Sequence, residues 1–171
     1  MIYVLDTNII RTLLRFFPKK GNVFETIWTN IDEQICLGKC ISVDECYNEL
    51  EKQFSDTSNE YLWIKQHKKM FKNPDAEESK IIAKLFQMPK MQESIHLKNI
   101  IENRPSADVY VVAKAKKLSA TVVTSEKYKP NSAQLPNLCN VLGVAWNSYD
   151  DYMEIVGNLS MKSMPQENAI F

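Results

Sequence analysis

The stretch that decides the fold is IYVLDTNII at residues 2–10. Ile2 to Leu5 form an apolar-rich run without polar alternation, as in a parallel strand covered on both faces. Apolar residues then recur at helical spacing, at Ile9, Ile10, Leu13, Leu14 and Phe17. Asp6 therefore stands where a buried strand ends and a helix begins. Ligands bind at the carboxyl ends of strands in open α/β sheets, so Asp6 is well placed for a cation, although it could instead cap the helix beside Thr7.

A second pair of acids lies in CISVDECYNELE at residues 40–51. Cys40 to Val43 reads as a short strand, and Ser42 with Glu45 has the form of a capping box that opens a helix. Glu45 and Glu49 are one turn apart and share a face of that helix. If Glu45 caps the helix, Glu49 is left to point at the site, so we favour Glu49 as the second acid and keep Glu45 as the alternative. Either residue could also be a solvated helix acid.

Two further acids follow in RPSADVYVVAKAKKL at residues 104–118 and SATVVTSEKY at residues 119–128. Asp108 lies in the first turn of a predicted helix, where the helix dipole alone would favour a carboxylate. Thr121 to Thr124 is a β-branched run typical of a central strand, and Glu126 stands at its carboxyl end, unless it is only a turn residue. The later CNVLGVAWNSYDDYM, at residues 139–153, predicts one more buried strand and a short helix capped by Asp150 or Asp151.

These segments, taken in chain order, resemble the PIN-domain nucleases, and in particular the VapC-like toxin ribonucleases. MIYVLDTNII resembles the opening of that family, and Ala107-Asp108 followed by an apolar helix resembles its third motif. PIN domains usually show Thr-x-Asp at the fourth motif, whereas this chain has Thr124-Ser125-Glu126, with a longer acid. The resemblance implies a three-layer α/β/α fold with a central, mostly parallel sheet of four to five strands. It implies a PIN-like nuclease domain over residues 1–156 and a polar C-terminal tail over residues 157–171.

The resemblance also implies a function, that of a metal-dependent ribonuclease hydrolysing RNA phosphodiester bonds as the toxin of a type II toxin–antitoxin pair. The catalytic residues, which would also bind Mg²⁺ or Mn²⁺, would be Asp6, Glu49, Asp108 and Glu126. The residues that orient waters or carboxylates around them would be Thr7, Asn8, Thr124 and Ser125. The implied partners are an RNA substrate and a small antitoxin protein, and a homodimer is compatible with the family. The alternatives are a degenerate PIN-like module that binds a partner without cleavage, and a non-toxin PIN-like nuclease.

The formal net charge is zero, with 21 basic and 21 acidic residues, so affinity for nucleic acid must come from local patches. Arg104 and Lys127 flank predicted site acids and are candidate phosphate contacts. The lysines that follow Asp108 are further candidates: Lys114, Lys116 and Lys117.

Composition excludes several other classes of protein. The four cysteines lack the spacing of a zinc site and agree with a reducing compartment. His67 and His96 lie in polar, helix-like surroundings outside the acid motifs, which disfavours Ser-His or Cys-His chemistry. No apolar run approaches the roughly 18 residues of a membrane span, and no basic lead-in marks a secretory leader. We therefore expect a cytoplasmic protein.

Overall fold

A parallel sheet organises the molecule, for which a computed structural model describes residues 1–19, 22–88 and 107–163. The described strands are β1 (Tyr3–Leu5), β2 (Cys40–Val43), β3 (Phe71–Lys72), β4 (Thr121–Val123) and β5 (Trp146–Asn147). They pair in the order β3-β2-β1-β4-β5, and every pairing is parallel. The predicted parallel sheet of four to five strands is confirmed.

Helices connect these strands and cover the sheet. They are α1 (Thr7–Phe16), α2 (Glu25–Cys36), α3 (Asp44–Glu51), α4 (Asn59–Gln66), α5 (Ala76–Gln87), α6 (Asp108–Leu118), α7 (Leu135–Leu142) and α8 (Tyr149–Ser163). Right-handed crossovers in a sheet of this strand order place helices on both of its faces. The predicted three-layer α/β/α arrangement is thus present.

The central strand β1 positions the candidate site. Tyr3 pairs with Cys40 of β2 on one side and with Thr121 of β4 on the other. The chain leaves β1 towards β2 but leaves β4 towards β5, so the direction of winding reverses between β1 and β4. Such a reversal opens a crevice at the carboxyl ends of the two strands, where α/β proteins bind their ligands. Asp6 follows β1 at this crevice.

The core forms from the apolar faces that the sequence pattern indicates. Helix α1 buries the predicted Ile9, Ile10, Leu13 and Leu14.

A polar contact joins the last helix, α8, to α2. The Asn30 side-chain amide on α2 donates a hydrogen bond of 2.7 Å to the Val156 carbonyl on α8. None of the described helices is long and apolar enough to cross a membrane.

The structure departs from the sequence-based expectation in the last third of the chain. Residues 139–142 belong to α7 rather than to a strand, and this helix ends at Gly143, whose φ of 62° is a left-handed conformation that glycine adopts without strain. The strand is only Trp146–Asn147. Helix α8 is not short; it continues past the predicted domain boundary at residue 156 to Ser163. The remainder of the predicted tail, residues 164–171, lies outside the described residues.

Candidate active site

Asp6 lies at the centre of the candidate site. Its backbone amide donates to the Val123 carbonyl at 3.1 Å, which extends the β1–β4 pairing by one residue. The residue is only 2% exposed. Its carboxylate Oδ2 accepts hydrogen bonds of 3.3 Å from the Asn8 side-chain amide and from the Thr124 hydroxyl. Although Asp6 is the N-cap residue of α1, its side chain makes no capping hydrogen bond, so the alternative interpretation of Asp6 as a helix cap is wrong.

Glu49 joins the same site through Thr7. The Thr7 hydroxyl donates to Glu49 Oε2 at 2.7 Å, from the first residue of α1 to the second half of α3. The buried Cys46 thiol lies close to both acids: burial raises its pKa, and the charges of Asp6 and Glu49 raise it further. Glu49 is thus linked through Thr7 to the residue that follows Asp6, and its role as the second acid stays a prediction.

The predicted capping box at the start of α3 is wrong. Ser42 belongs to β2, and its hydroxyl donates to the Leu5 carbonyl at 2.7 Å, so it joins two strands instead of capping a helix. Helix α3 begins at Asp44 without a side-chain cap.

Glu45, the alternative second acid, occupies a different environment from Glu49. Burial raises the pKa of its carboxyl group, whereas a hydrogen bond with its own backbone lowers it. The charges of Asp44 and Glu78 also raise this pKa, and the charge of Lys114 lowers it. Its Oε2 is buried and, among the described residues, has no hydrogen-bond partner. Glu45 thus faces α5 and α6, whereas Glu49 contacts Thr7.

Asp108 is the first residue of α6 and is 7% exposed. Helix α6 packs against β1, β2 and β4. Helix α6 also packs against α7. Burial raises the pKa of the Cys139 thiol on α7 to about 12, and the charge of Asp108 raises it further. Asp108 is therefore a buried carboxylate on a helix that contacts the central strands.

Glu126 lies beyond the carboxyl end of β4, and its carboxylate has a structural contact. The Glu126 backbone amide donates to the Thr124 hydroxyl at 3.1 Å, and that hydroxyl in turn donates to Asp6. Glu126 Oε2 accepts from the Leu135 backbone amide at 2.7 Å, at the first residue of α7. One hydroxyl thus links the positions of the first and fourth predicted acids, while the Glu126 carboxylate stabilises a helix start.

Of the predicted orienting residues, three contact an acid directly. Thr7 contacts Glu49, and Asn8 and Thr124 contact Asp6, whereas Ser125 is exposed and lines a pocket beside Glu126. Asp151 does cap α8, because its carboxylate accepts from the Ser148 amide at 3.1 Å and from the Ser148 hydroxyl at 2.7 Å.

Two of the lysines considered for phosphate contacts are engaged elsewhere. Lys114 is buried, with its ammonium 2.8 Å from Glu78 and 2.9 Å from the Asn73 carbonyl that accepts its hydrogen bond. Lys117 pairs with Asp75. The interpretation of Lys114 as a phosphate contact is therefore wrong, whereas that of Lys117 stays a prediction. Lys127 lines the pocket beside Glu126, and Arg104 lies outside the described residues.

The donor set around Asp6 suits a hard divalent cation. Carboxylate and hydroxyl oxygens are the ligands that Mg²⁺ and Mn²⁺ prefer, and Mg²⁺ usually needs only one or two carboxylates because it keeps several waters. Within residues 1–19, 22–88 and 107–163, however, no three Asp, Glu, His or Cys side chains converge closely enough to form a ready-made metal site. The residues fit a site built on few carboxylates and completed by water and substrate, and they do not form a full protein cage.

The sequence analysis missed the aromatic side chains of the pocket beside Glu126. They are Tyr128, Trp146 and Tyr149, and they come from the loop after β4 and from the junction of β5 with α8. The available signal was the position of Tyr128 directly after the fourth motif. Trp146 and Tyr149 instead matched the pattern of a buried strand and a capped helix.

Comparisons with known proteins agree with this architecture. Residues 3–158 match the family described as domain of unknown function (DUF4411). No curated protein matches the chain. Two solved structures are similar. The first is VapBC-1 from nontypeable Haemophilus influenzae, with 18% identity and a TM-score of 0.52, and the match covers 88% of this chain and 99% of that chain. The second is VapBC2 from Rickettsia felis bound to a DNA fragment from their promoter, with 14% identity and a TM-score of 0.53, and the match covers 86% of this chain and 98% of that chain. At such identities the likeness concerns the fold, and the PIN-like fold predicted from the sequence is confirmed.

Proposed function

We propose a nuclease function for this chain, which belongs to the family described as domain of unknown function (DUF4411). The observation that carries the proposal is the network of hydrogen bonds around the Asp6 carboxylate. This buried carboxylate stands at the crevice between β1 and β4, and the hydroxyls of Thr7 and Thr124 extend the site to Glu49 and to the backbone of Glu126. Oxygen ligands at this place in an α/β sheet favour a metal-dependent reaction on a phosphorylated substrate.

The proposed reaction is hydrolysis of a phosphodiester bond in RNA. Mg²⁺ or Mn²⁺, when bound, would activate a water molecule and neutralise charge that develops on the phosphoryl and leaving oxygens. Asp6 and Asp108 would be the primary ligands, with Glu49 and Glu126 supporting them. Thr7 holds the Glu49 carboxylate, and Asn8 and Thr124 hold that of Asp6, so these neutral donors fix the acids in place.

We further propose that the chain is the toxin of a type II toxin–antitoxin pair. The proposal is supported by the likeness of its fold to chains from VapBC structures and by the family resemblance of its acid motifs. Its partners would then be an RNA substrate and a small antitoxin protein, with a homodimer as a further assembly, and its compartment would be the cytoplasm.

The test is cleavage of end-labelled single-stranded RNA and DNA by the purified chain, with Mn²⁺, with Mg²⁺ and with EDTA. We expect metal-dependent cleavage of RNA that is lost in Asp108→Asn. Growth arrest on expression, relieved by co-expression of an adjacent small protein, would distinguish a toxin from a non-toxin nuclease. Wild-type cleavage by Asp108→Asn would contradict the proposed site.

A second candidate function is a degenerate module that binds a partner without cutting. Two observations favour it: no group of three metal-binding side chains converges in the described parts of the chain, and the Glu126 carboxylate is engaged at the start of α7. This candidate predicts no saturable Mn²⁺ binding and no cleavage of any nucleic acid.

A further inference from the structure

A pocket of about 400 Å³ lies directly beside the candidate site. Thr124, Ser125, Glu126 and Lys127, after β4, form one wall. The junction of β5 with α8 supplies much of the remainder, including Trp146 and Tyr149. The volume is in the range of pockets that bind small organic groups, roughly 300–1,000 Å³.

The pocket is rich in aromatic side chains. Tyr128, in the loop after Glu126, is 55% exposed although its ring is large and apolar. Trp146 is half-buried, and its backbone is held by pairing with Val122 of β4. Tyr149 is also half-buried, with its ring 6.3 Å from that of Phe17. Burial and the neighbouring Asp150 raise the pKa of the Tyr149 hydroxyl to about 12.

The position of the pocket relates it to the candidate reaction. Thr124 lines the pocket and donates to the Asp6 carboxylate, and Glu126 belongs to both the pocket and the candidate site. Lys127 adds a cation at the pocket that could contact a phosphate. A nucleic-acid strand with one phosphate at Asp6 would therefore have an adjacent nucleotide at this pocket.

We infer that the pocket binds a nucleobase of a single-stranded nucleic acid, next to the bond that is cut. The inference rests on the proposed function, because it uses the position of the candidate site to place the strand. Bases stack on Trp and Tyr rings in single-strand-binding proteins. Because the net charge of this chain is zero, long-range electrostatic attraction cannot supply its affinity for nucleic acid, so local contacts such as stacking must do so.

The first test measures binding in EDTA, so that no cleavage occurs. The probe is a fluorescein-labelled single-stranded RNA oligonucleotide followed by anisotropy. Tyr128→Ala should raise Kd about 5- to 150-fold, the range that corresponds to losing one stacked base, whereas Tyr128→Phe should stay close to wild type. Leu62→Ala on α4, where the side chain is 56% exposed and does not line this pocket, is the matched control and should leave Kd unchanged.

The second test uses tryptophan fluorescence. Trp28 and Trp63 are buried, so quenching by an added oligonucleotide should come from Trp146 and should disappear in Trp146→Phe. Quenching that persists in Trp146→Phe, together with an unchanged Kd in Tyr128→Ala, would overturn the base pocket.

The two proposals fail in distinguishable ways. If the wild type cleaves RNA, and Tyr128→Ala binds RNA with the same Kd and cleaves it with the same base preference, the pocket is rejected while the nuclease function stands. If the wild type cleaves nothing but Trp146 is quenched and Tyr128→Ala binds weakly, the nuclease function is rejected while the base pocket stands.

Discussion

The Thr7 hydroxyl donates a 2.7 Å hydrogen bond to the Glu49 carboxylate, between residues that are 42 positions apart in the chain. Thr7 directly follows Asp6, so the end of β1 provides one candidate acid and orients a second. This contact gives Glu49 a defined place in the site, which a solvated helix acid would lack.

Removal of this hydroxyl tests its role. Thr7→Val keeps the size and branching of the side chain but removes the donor, and we expect metal-dependent cleavage to fall about 10- to 100-fold, as is typical when a partner of a metal ligand is lost. Thr7→Ser keeps the donor and should retain most of the activity. Cleavage rates are compared with thermal unfolding, because a loss that only follows reduced stability would argue against an orienting role.

The two acids on α3 should differ sharply. Glu49→Gln should lower the rate by at least about tenfold, since it neutralises a candidate ligand that Thr7, the neighbour of Asp6, holds in place. Glu45→Gln should have a small effect, because Glu45 faces Lys114 and Glu78. The measurement is the rate of cleavage at limiting Mn²⁺. The reverse ranking would show that Glu45 is the second acid.

Glu126 combines a candidate ligand with a structural contact, and three substitutions separate the two roles. Glu126→Ala removes the acceptor for the Leu135 amide and should lower the free energy of unfolding by about 0.5–2 kcal/mol, the cost of losing a helix cap. Glu126→Gln keeps an acceptor oxygen, so stability should be retained while activity falls. Glu126→Asp should keep or raise activity with Mn²⁺, whose oxygen sites tolerate varied ligand lengths.

Denaturant unfolding and cleavage at limiting metal are measured on the same preparations of these Glu126 variants. Full activity in Glu126→Gln would leave a three-carboxylate site of Asp6, Glu49 and Asp108.

Local pattern was enough to predict the strands that carry the site. β1, β2 and β4 are apolar or β-branched runs, and each is followed by a candidate acid, so the placement of Asp6 could be read from the sequence. β3 has only two residues, Phe71 and Lys72, and is too short to show a period.

Contacts between distant segments explain the predictions that were wrong. Ser42 and Glu45 have the spacing of a capping box, but the Ser42 hydroxyl instead bonds to Leu5 on the neighbouring strand. Lys114 resembles a solvated helix lysine, yet α5 packs over it and supplies Glu78. Such contacts depend on which strands and helices become neighbours in the fold, and local sequence does not contain that information.

The buried ion pair of Lys114 and Glu78 should contribute to the stability of the fold. The two residues are 5% and 2% exposed, and their charged groups lie 2.8 Å apart. Lys114→Met leaves Glu78 buried without this partner and should lower the free energy of unfolding by about 3–5 kcal/mol. Lys116→Met, at an exposed position on the same helix, is the matched control and should change it by less than about 0.5 kcal/mol. Equal effects in a urea titration would contradict the role of the pair.

The central claim is that carboxylates around Asp6 bind a catalytic divalent metal, and calorimetric titration with Mn²⁺ tests it most directly. We predict saturable binding to the wild type that is lost in Asp6→Asn, which should fold normally or be more stable without metal because a buried negative charge is gone. Glu45→Gln should bind like the wild type. Absence of Mn²⁺ binding to the wild type, or unchanged binding to Asp6→Asn, would contradict the claim.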